Sequence, residues 1–257
     1  MAWARVIAMG LLITVAGCQA SLRDGIGIDG GEDPEGMDVT VPGVTPRGVT
    51  DPDRLATAHR DSLVGQSYTL RSTLIMNRSR NRQMRMERVL RTGRDKERFL
   101  FEQRLQGDSP FSGVNRPERN LTVWSDGDRA LAAIGREGGI RFERSRPSSG
   151  WRMFHGEQAI RSYFDRPDET VVERIDYRGW LAYRIVATQT GDQGGRGVTV
   201  RAVAIVDTFG RIFTLRISGP AKGFAWIPGE GAVVITLEYT DIGETTVPRP
   251  GWLATAN

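Results

Sequence analysis

Apolar and polar residues alternate with a period of two along three long stretches that begin after Gly65. This alternation is typical of antiparallel strands that bury one face and expose the other. The stretches cover residues 68–76, 84–90 and 98–105, and short polar segments separate them. Segments of this length fit hairpin connections, so the pattern predicts a three-stranded meander.

Further alternating or apolar stretches predict more strands and bring the total to nine to eleven. They lie near residues 121–124, 129–134, 140–143, 170–176, 180–189, 198–207, 211–218 and 232–239.

Helix signals are few. Asp51 is a suitable cap, Pro52 fits the first helical position and Gly65 supplies the stop, which predicts one short helix. A second helix is predicted over residues 156–164, where four apolar residues form a stripe.

Most of these strands are joined by hairpin-like connections, which excludes a parallel α/β sheet. The pattern therefore predicts a mainly β (α+β) domain over residues 51–257. In that fold a strongly curved antiparallel sheet forms an incomplete barrel, and two or more helices pack on its concave face. No internal repeat is visible in the sequence.

The first 18 residues have the organisation of an export signal. Arg5 provides a short positive region, and an eleven-residue, mostly apolar run covers residues 6–16. A membrane-spanning helix needs about 20 residues, so the run suits a signal peptide better than a span. The run ends on Val15-Ala16-Gly17-Cys18, which resembles the lipobox of bacterial and archaeal lipoproteins.

The lipobox resemblance implies that residues 1–17 are a removable signal peptide and that Cys18 carries a diacylglyceryl group. The remaining chain has no apolar run long enough to span a bilayer, so we expect the lipid to be its membrane anchor. Two acyl chains hold a protein stably on a membrane. The expected location is the extracytoplasmic face of the cell membrane. A buried structural cysteine is the alternative for Cys18.

Residues 18–50 combine the lipidated cysteine with a segment rich in Gly, Asp and Pro. Such a composition cannot bury enough apolar surface to order itself, which predicts a disordered linker. Its acids do not have the spacing of a calcium loop. The linker would let the folded domain stand away from the membrane surface.

The amino-acid composition of the chain excludes several classes of function. The chain of 257 residues has one Cys, two His and a net charge of +4. One cysteine excludes an intramolecular disulfide and any Cys-rich metal cluster. The charge is far below that of a dedicated nucleic-acid binder. Enzyme signatures such as a nucleophile elbow, a zinc-protease helix or a phosphate-binding loop before a helix are absent. We therefore expect no catalysis, no metal, no cofactor and no nucleic acid.

Several short motifs resemble those of lipoproteins of unknown function from halophilic archaea. Besides the lipobox and the linker, they are Pro42-Gly43-Val44-Thr45, Gly48-Val49-Thr50-Asp51, Leu55…Ala58-His59 before Ser67-Tyr68-Thr69, and Glu238-Tyr239…Ile242-Gly243…Val247-Pro248…Pro250-Gly251-Trp252. Halophile proteins are usually strongly acidic, whereas this chain is slightly basic. Either the source is not an extreme halophile or the resemblance is to the fold.

Such lipoproteins are similar to the LolA/LolB/LppX group. The resemblance implies an incomplete barrel of antiparallel strands, closed by helices around a hydrophobic cavity that carries acyl chains. It implies no catalytic residues. This shape agrees with the one that the periodicity predicts.

Large apolar side chains on the predicted strands are the candidates for lining such a cavity, because Met in particular adapts to varied apolar ligands. They are Leu70, Leu74, Met76, Met84, Met86, Phe99, Phe101 and Trp124. An ordinary filled core is the alternative. Phe224 and Trp226 lie in a loop flanked by Gly and Pro, where they would either contact lipid or a partner, or fold back as a plug.

The polar residues are weaker candidates for a functional site than the apolar ones. Arg85 and Arg91 are expected on one face of their strand and Arg88 on the other, so a basic patch for phosphate head groups would be diluted, and a solvated face is the alternative. His59 and His155 have no nucleophile placed beside them and are expected to be partly exposed structural residues. Asn77 and Asn120 begin glycosylation sequons.

The sequence thus predicts a membrane-anchored, exported lipoprotein that binds or carries an apolar ligand, expected to be a lipid, in a half-barrel cavity. The alternative is a non-enzymatic structural or protein-interaction module of the envelope with a filled core. Neither the ligand nor any protein partner is identified by the sequence.

Overall fold

The computed structural model describes residues 51–79, 82–111, 119–136, 139–145, 156–164, 167–192, 197–224 and 227–254. Two α-helices occur in these ranges, α1 (Pro52–Ser62) and α2 (Gly156–Tyr163). Two short 3-10 turns cover Ala221–Gly223 and Gly251–Ala254. None of the described helices has the length and apolar character that crossing a membrane would require.

Eleven strands account for most of the described chain. They are β1 (Tyr68–Ser79), β2 (Arg82–Thr92), β3 (Arg98–Gly107), β4 (Asn120–Asp126), β5 (Ala130–Arg136), β6 (Gly139–Ser145), β7 (Glu169–Tyr177), β8 (Trp180–Asp192), β9 (Gly197–Asp207), β10 (Ile212–Pro220) and β11 (Ala232–Thr240). Each predicted strand is present, usually one to three residues longer than its apolar pattern. The prediction of a mainly β fold is confirmed.

All eleven strands form one antiparallel sheet, built from two meanders. The order is β6-β5-β4-β3-β2-β1-β11-β10-β9-β8-β7. Within each meander, strands adjacent in sequence are adjacent in space, and β1 pairs with β11 to join the two. Strands β6 and β7 lie at opposite edges, so the sheet is open and does not close into a barrel.

Helix α1 begins where its sequence signals predict. The Asp51 carboxylate accepts hydrogen bonds from the backbone N–H groups of Asp53 and Arg54 at 3.0 and 3.1 Å. This cap satisfies donors that have no partner within the helix. The helix ends at Ser62, and Gly65 follows with a φ of +67° that favours glycine.

Helix α2 lies in the segment that connects β6 to β7. Because these strands are the two edges of the sheet, residues 146–168 connect one edge to the other. Helix α2 contacts strands β9 and β10 and packs on α1. Ion pairs tie the helices together, with Arg60 of α1 binding Glu157 of α2 at 3.9 Å and Arg161 of α2 binding Asp53 of α1.

One face of the sheet, here called the interior face, carries the main apolar core. Alternate residues of the strands point to this face, as Leu70 and Leu74 of β1 do, and they form one cluster with buried residues of both helices. Leu55 and Ala56 of α1 and Ile160 of α2 have no exposed surface. Both helices therefore pack on the interior face.

The opposite face, here called the outer face, is covered in part by the segment after β11. Leu253, in the second 3-10 turn, is buried against Leu100 of β3 and Trp124 of β4. Val247 and Trp252 pack against the same cluster. The chain end thus forms a second, smaller core on the outer face.

Candidate ligand-binding interior

Seven of the eight predicted cavity residues are brought together on the interior face. All seven are buried members of the main cluster: Leu70, Leu74, Met76, Met84, Met86, Phe99 and Phe101. Met76 is the cross-strand partner of Met84, and Leu74 is the partner of Met86. Strands β1, β2 and β3 therefore present a continuous surface of large, flexible apolar side chains.

Trp124 does not join this group. It belongs to the outer-face cluster with Leu100 and Leu253, whereas its neighbour Val123 belongs to the main cluster. Successive residues of a strand point to opposite faces, so Val123 and Trp124 cannot both face the interior. The structure thus corrects the placement of Trp124.

Phe224 is also buried rather than exposed. It retains 2% of its surface and its ring lies 5.8 Å from that of Tyr163 in α2. The loop therefore folds back at this residue, which is one of its two predicted arrangements, and Phe224 offers no exposed surface to a membrane. Trp226, the other predicted loop aromatic, lies outside the described residues.

Exposed aromatic side chains instead occur at the opposite end of the sheet. Trp180, the first residue of β8 after the turn that follows β7, is 65% exposed, and Phe209, in the turn between β9 and β10, is 59% exposed. The cross-strand pair Ala182–Asp207 brings these two turns close together. Sequence analysis missed both residues because Trp180 begins a strand and Phe209 is an isolated aromatic in a polar turn.

A row of polar side chains crosses the interior face among the apolar ones. Arg88 of β2 has Ser72 of β1 on one side and Gln103 of β3 on the other. The Arg88 Nε–H group donates to Gln103 Oε1 at 2.7 Å. Ser72 and Gln103 are buried, and Arg88 is half-buried. The prediction that Arg88 points away from Arg85 and Arg91 agrees with this register.

Burial lowers the pKa of the Arg88 guanidinium to about 9. The cause is desolvation, which disfavours the charged form in an apolar environment. A pKa of about 9 still leaves the group cationic at pH 7. The interior therefore contains a positive charge.

Tyr183 of β8 supplies a second polar group to the interior. Its side chain is 3% exposed and belongs to the main apolar cluster. Its hydroxyl group is buried and makes no hydrogen bond within the described part of the chain. A buried hydroxyl without a partner costs about 1–3 kcal/mol.

His59 is buried in α1 with 1% exposure, which corrects the expectation of a partly exposed residue. Its Nδ1 atom accepts a hydrogen bond from the backbone N–H of Ile212 at 3.1 Å. Its ring meets the Tyr239 ring edge-on at 4.7 Å. An accepting Nδ1 requires the tautomer with its proton on Nε2, so His59 fixes α1 to β10 as a neutral ring.

Several predicted features fall outside the described residues. They are the signal peptide, Cys18, the linker, His155 and Trp226. Asn77 and Asn120 are described and exposed, and Asn77 accepts a hydrogen bond from Gln83 Nε2 at 3.0 Å. Within the described ranges, no group of three His, Cys, Asp or Glu side chains is placed to hold a metal ion.

No family model matches the chain. No curated protein matches it either. Among solved structures, the chain is similar to a LolA superfamily protein from Nitrosomonas europaea, with 10% identity over 76% of this chain and 93% of that one. The TM-score of this similarity is 0.27.

Proposed function

We propose that the chain is an exported lipoprotein, anchored to the extracytoplasmic face of a membrane through Cys18, that binds an apolar ligand on the interior face of its open sheet. The proposed ligand is a lipid, and the proposed role is binding or transport rather than catalysis. The finer shape that goes with this function is a half-barrel whose concave face carries the helices.

The observation that supports ligand binding is the distribution of side chains on the interior face. Strands β1 to β3 carry large apolar side chains there, three of them methionines. Large, flexible apolar side chains of this kind suit a ligand with an acyl chain.

One observation favours the alternative of a filled core. The interior side chains of all but the edge strands belong to a single cluster with the helices, as they would in a structural or interaction module. The two functions differ in the volume that the interior leaves open. A ligand site needs roughly 300–1,000 Å³, whereas a filled core leaves few voids larger than a water molecule.

Uptake of a fluorescent fatty acid by the purified full chain tests ligand binding. We expect saturable uptake and co-purifying lipid detectable by mass spectrometry. Met86→Trp, which fills the interior face, should reduce uptake at least fivefold. Glu87→Trp is the matched control, because the adjacent residue faces outward and should leave uptake unchanged. Thermal unfolding of both variants checks that they fold, since overpacking costs about 1–3 kcal/mol.

The absence of both co-purifying lipid and fatty-acid uptake would contradict the carrier and favour the filled core. The anchor is tested separately by mass spectrometry of the mature N-terminus. An unmodified Cys18, or retained residues 1–17, would contradict the proposed anchoring without affecting the ligand site.

A further inference from the structure

The large apolar side chains that the described residues expose are concentrated at one end of the sheet. Four of these five residues lie there, namely Val64, Trp180, Leu181 and Phe209, whereas Val171 lies within β7. The starts of β1 and β10 both pair with the last part of β11, and the start of β8 pairs with the end of β9. Val64 precedes β1, and Phe209 precedes β10. The four residues define what is here called the aromatic end.

Two tight turns hold the aromatic side chains of this end. Trp180 follows a two-residue turn in which Arg178 and Gly179 have φ values of +58° and +81°, as a type I′ hairpin turn requires. In the other turn, the backbone N–H of Phe209 donates to the Asp207 carboxylate at 2.8 Å. Side chains on turns that are ordered before binding lose less conformational entropy when they bind a partner.

The charged side chains beside the two rings are paired within the domain. Arg178 binds Glu238 at 3.0 Å. The guanidinium group of Arg211 lies 5.6 Å from the centre of the Phe209 ring, and it binds Asp207. Because each of these cations has an acidic partner, charge does not favour an anionic partner here. Binding at the aromatic end therefore depends on the apolar side chains.

The exposed aromatic area is too small for a stable protein interface. A Trp or Phe side chain covers about 150–250 Å², so exposures of 65% and 59% leave roughly 300 Å² for the two rings together. A stable protein interface covers about 800 Å² on each partner. A lipid bilayer needs no complementary shape, and Trp is enriched at the bilayer surface because its ring is apolar and its N–H group is polar.

The chain before the domain is long enough for this end to reach a membrane. Residues 19–50 separate the proposed anchor at Cys18 from Asp51, and a segment of this length spans at most roughly 110 Å. Helix α1 begins at Asp51, is about 16 Å long, and contacts the start of β10 with its last turn. The anchor therefore allows any face of the domain to meet the membrane, and tethering makes even a weak contact effective.

We propose that the aromatic end docks on the surface of a lipid bilayer, with Trp180 and Phe209 inserted among the lipid head groups. This inference rests on the proposed membrane location and names the surface of the domain that faces the membrane. The opposite end of the sheet, where Asn77 lies in β1, faces away from the bilayer.

A fluorescent label at each end of the sheet tests the inference. The full chain carries Cys18→Ser, which removes its one native cysteine, and a single new cysteine bears the environment-sensitive label NBD. With phosphatidylcholine vesicles, a label at Thr208→Cys, beside Phe209, should brighten at least threefold and be quenched by brominated lipid. The same label at Asn77→Cys should show neither effect.

Substitutions at exposed positions test whether the two rings are responsible. In the chain labelled at Thr208→Cys, the combination of Trp180→Ser and Phe209→Ser should lower the brightening at least fivefold. Val171→Ser is the matched control, because it removes an exposed apolar side chain away from the aromatic end and should leave the brightening unchanged. All variants should unfold near the wild-type Tm, since exposed side chains contribute little to stability.

Three results would overturn the docking. The first is a label at Thr208→Cys that stays dark or brightens no more than the label at Asn77→Cys. The second is brightening that requires anionic lipid and disappears in high salt, since charge would then drive it. The third is self-association that Trp180→Ser abolishes, which would assign the surface to a second copy of the chain. Fatty-acid uptake and the state of Cys18 still decide the proposed function separately.

Discussion

Tyr68 and Lys96 show how burial changes individual side chains at the end of the sheet where β1 begins. Tyr68 is 1% exposed, and its ring lies 5.7 Å from that of Tyr239. Lys96 folds back from the turn between β2 and β3, placing Nζ 4.1 Å from the centre of the Tyr68 ring and donating to the carbonyl of Gln66. Desolvation raises the pKa of Tyr68 far above its ordinary value and lowers the pKa of Lys96 to about 8.

The raised pKa of Tyr68 predicts a loss of stability at alkaline pH. In the unfolded chain a tyrosine ionises near pH 10, as is usual for this residue. The folded chain keeps Tyr68 protonated at that pH. The contribution of Tyr68 to the free energy of unfolding is therefore complete below about pH 10 and falls as the pH rises further. Urea unfolding between pH 7 and 11.5 should show this fall in the wild type and a shallower one in Tyr68→Phe.

Two variants provide controls for the Tyr68 prediction. Tyr177→Phe, on the outer face, should keep the alkaline fall of the wild type. Lys96 acts in the opposite direction, because its lowered pKa makes the unfolded chain bind more protons from about pH 8 upward. The free energy of unfolding of the wild type should therefore rise slightly from about pH 8 to about pH 10, and Lys96→Met should lack this rise. A Tyr68→Phe profile identical to that of the wild type would contradict the prediction.

At the scale of elements, four hairpin turns contain the same hydrogen-bonding arrangement, and all four lie at the same end of the sheet. An Asp at the turn accepts backbone N–H groups of the residues that follow: Asp95 from Glu97 and Arg98, Asp126 from Arg129, Asp176 from Gly179, and Asp207 from Phe209 and Arg211. Asp side chains favour turns for this reason. The turns thus supply their own hydrogen-bond acceptors.

Asp207 should be the most important of these residues. It is 4% exposed and accepts from Phe209 and Arg211 at 2.8 Å, and it also binds the Arg211 side chain. Asp207→Ala should lower the free energy of unfolding by about 2 kcal/mol or more, because two partly buried backbone N–H groups and the Arg211 side chain lose their acceptor. Asp176→Ala, at an exposed turn with one such bond, should cost about 0.5–1 kcal/mol. Equal losses in the two variants would show that burial does not decide the cost.

At the scale of the whole molecule, β11 joins the two halves of the sheet. One meander contains β1 to β6 and the other β7 to β11, and the pairing of β1 with β11 connects them. This pairing brings together residues from opposite ends of the domain, such as Leu70 and Tyr239. The described residues after β11, up to residue 254, cover part of the outer face and form no strand.

Two truncations separate these roles. A chain that stops at residue 231 lacks β11 and should lose its single cooperative unfolding transition, because β1 and β10 no longer share a partner strand. A chain that stops at residue 240 keeps β11 and should unfold cooperatively, with a Tm lowered by roughly 5–10 °C through exposure of Leu100 and Trp124. A cooperative transition in the shorter chain would show that the halves are held together without β11.

Local patterns were sufficient to predict the elements. Alternation from Tyr68 onward located the strands, and Asp51 with Pro52 located the start of α1, because these signals act between near neighbours in sequence. The same alternation placed the seven cavity candidates on one face. It failed for Trp124 because Val123 and Trp124 are both apolar, and only the segment around Leu253 reveals that the outer face is covered there as well.

The sequence by itself determined which residues form strands, which face of most strands is apolar, and that the polar Arg88 interrupts that face. The tertiary structure alone decided that β1 lies beside β11, that His59 and Phe224 are buried, and that Arg88, Gln103 and Ser72 form one row. The physical reason is distance along the chain. Strand periodicity records the environment of each residue, but the identity of its neighbours depends on pairing between segments that no local pattern encodes.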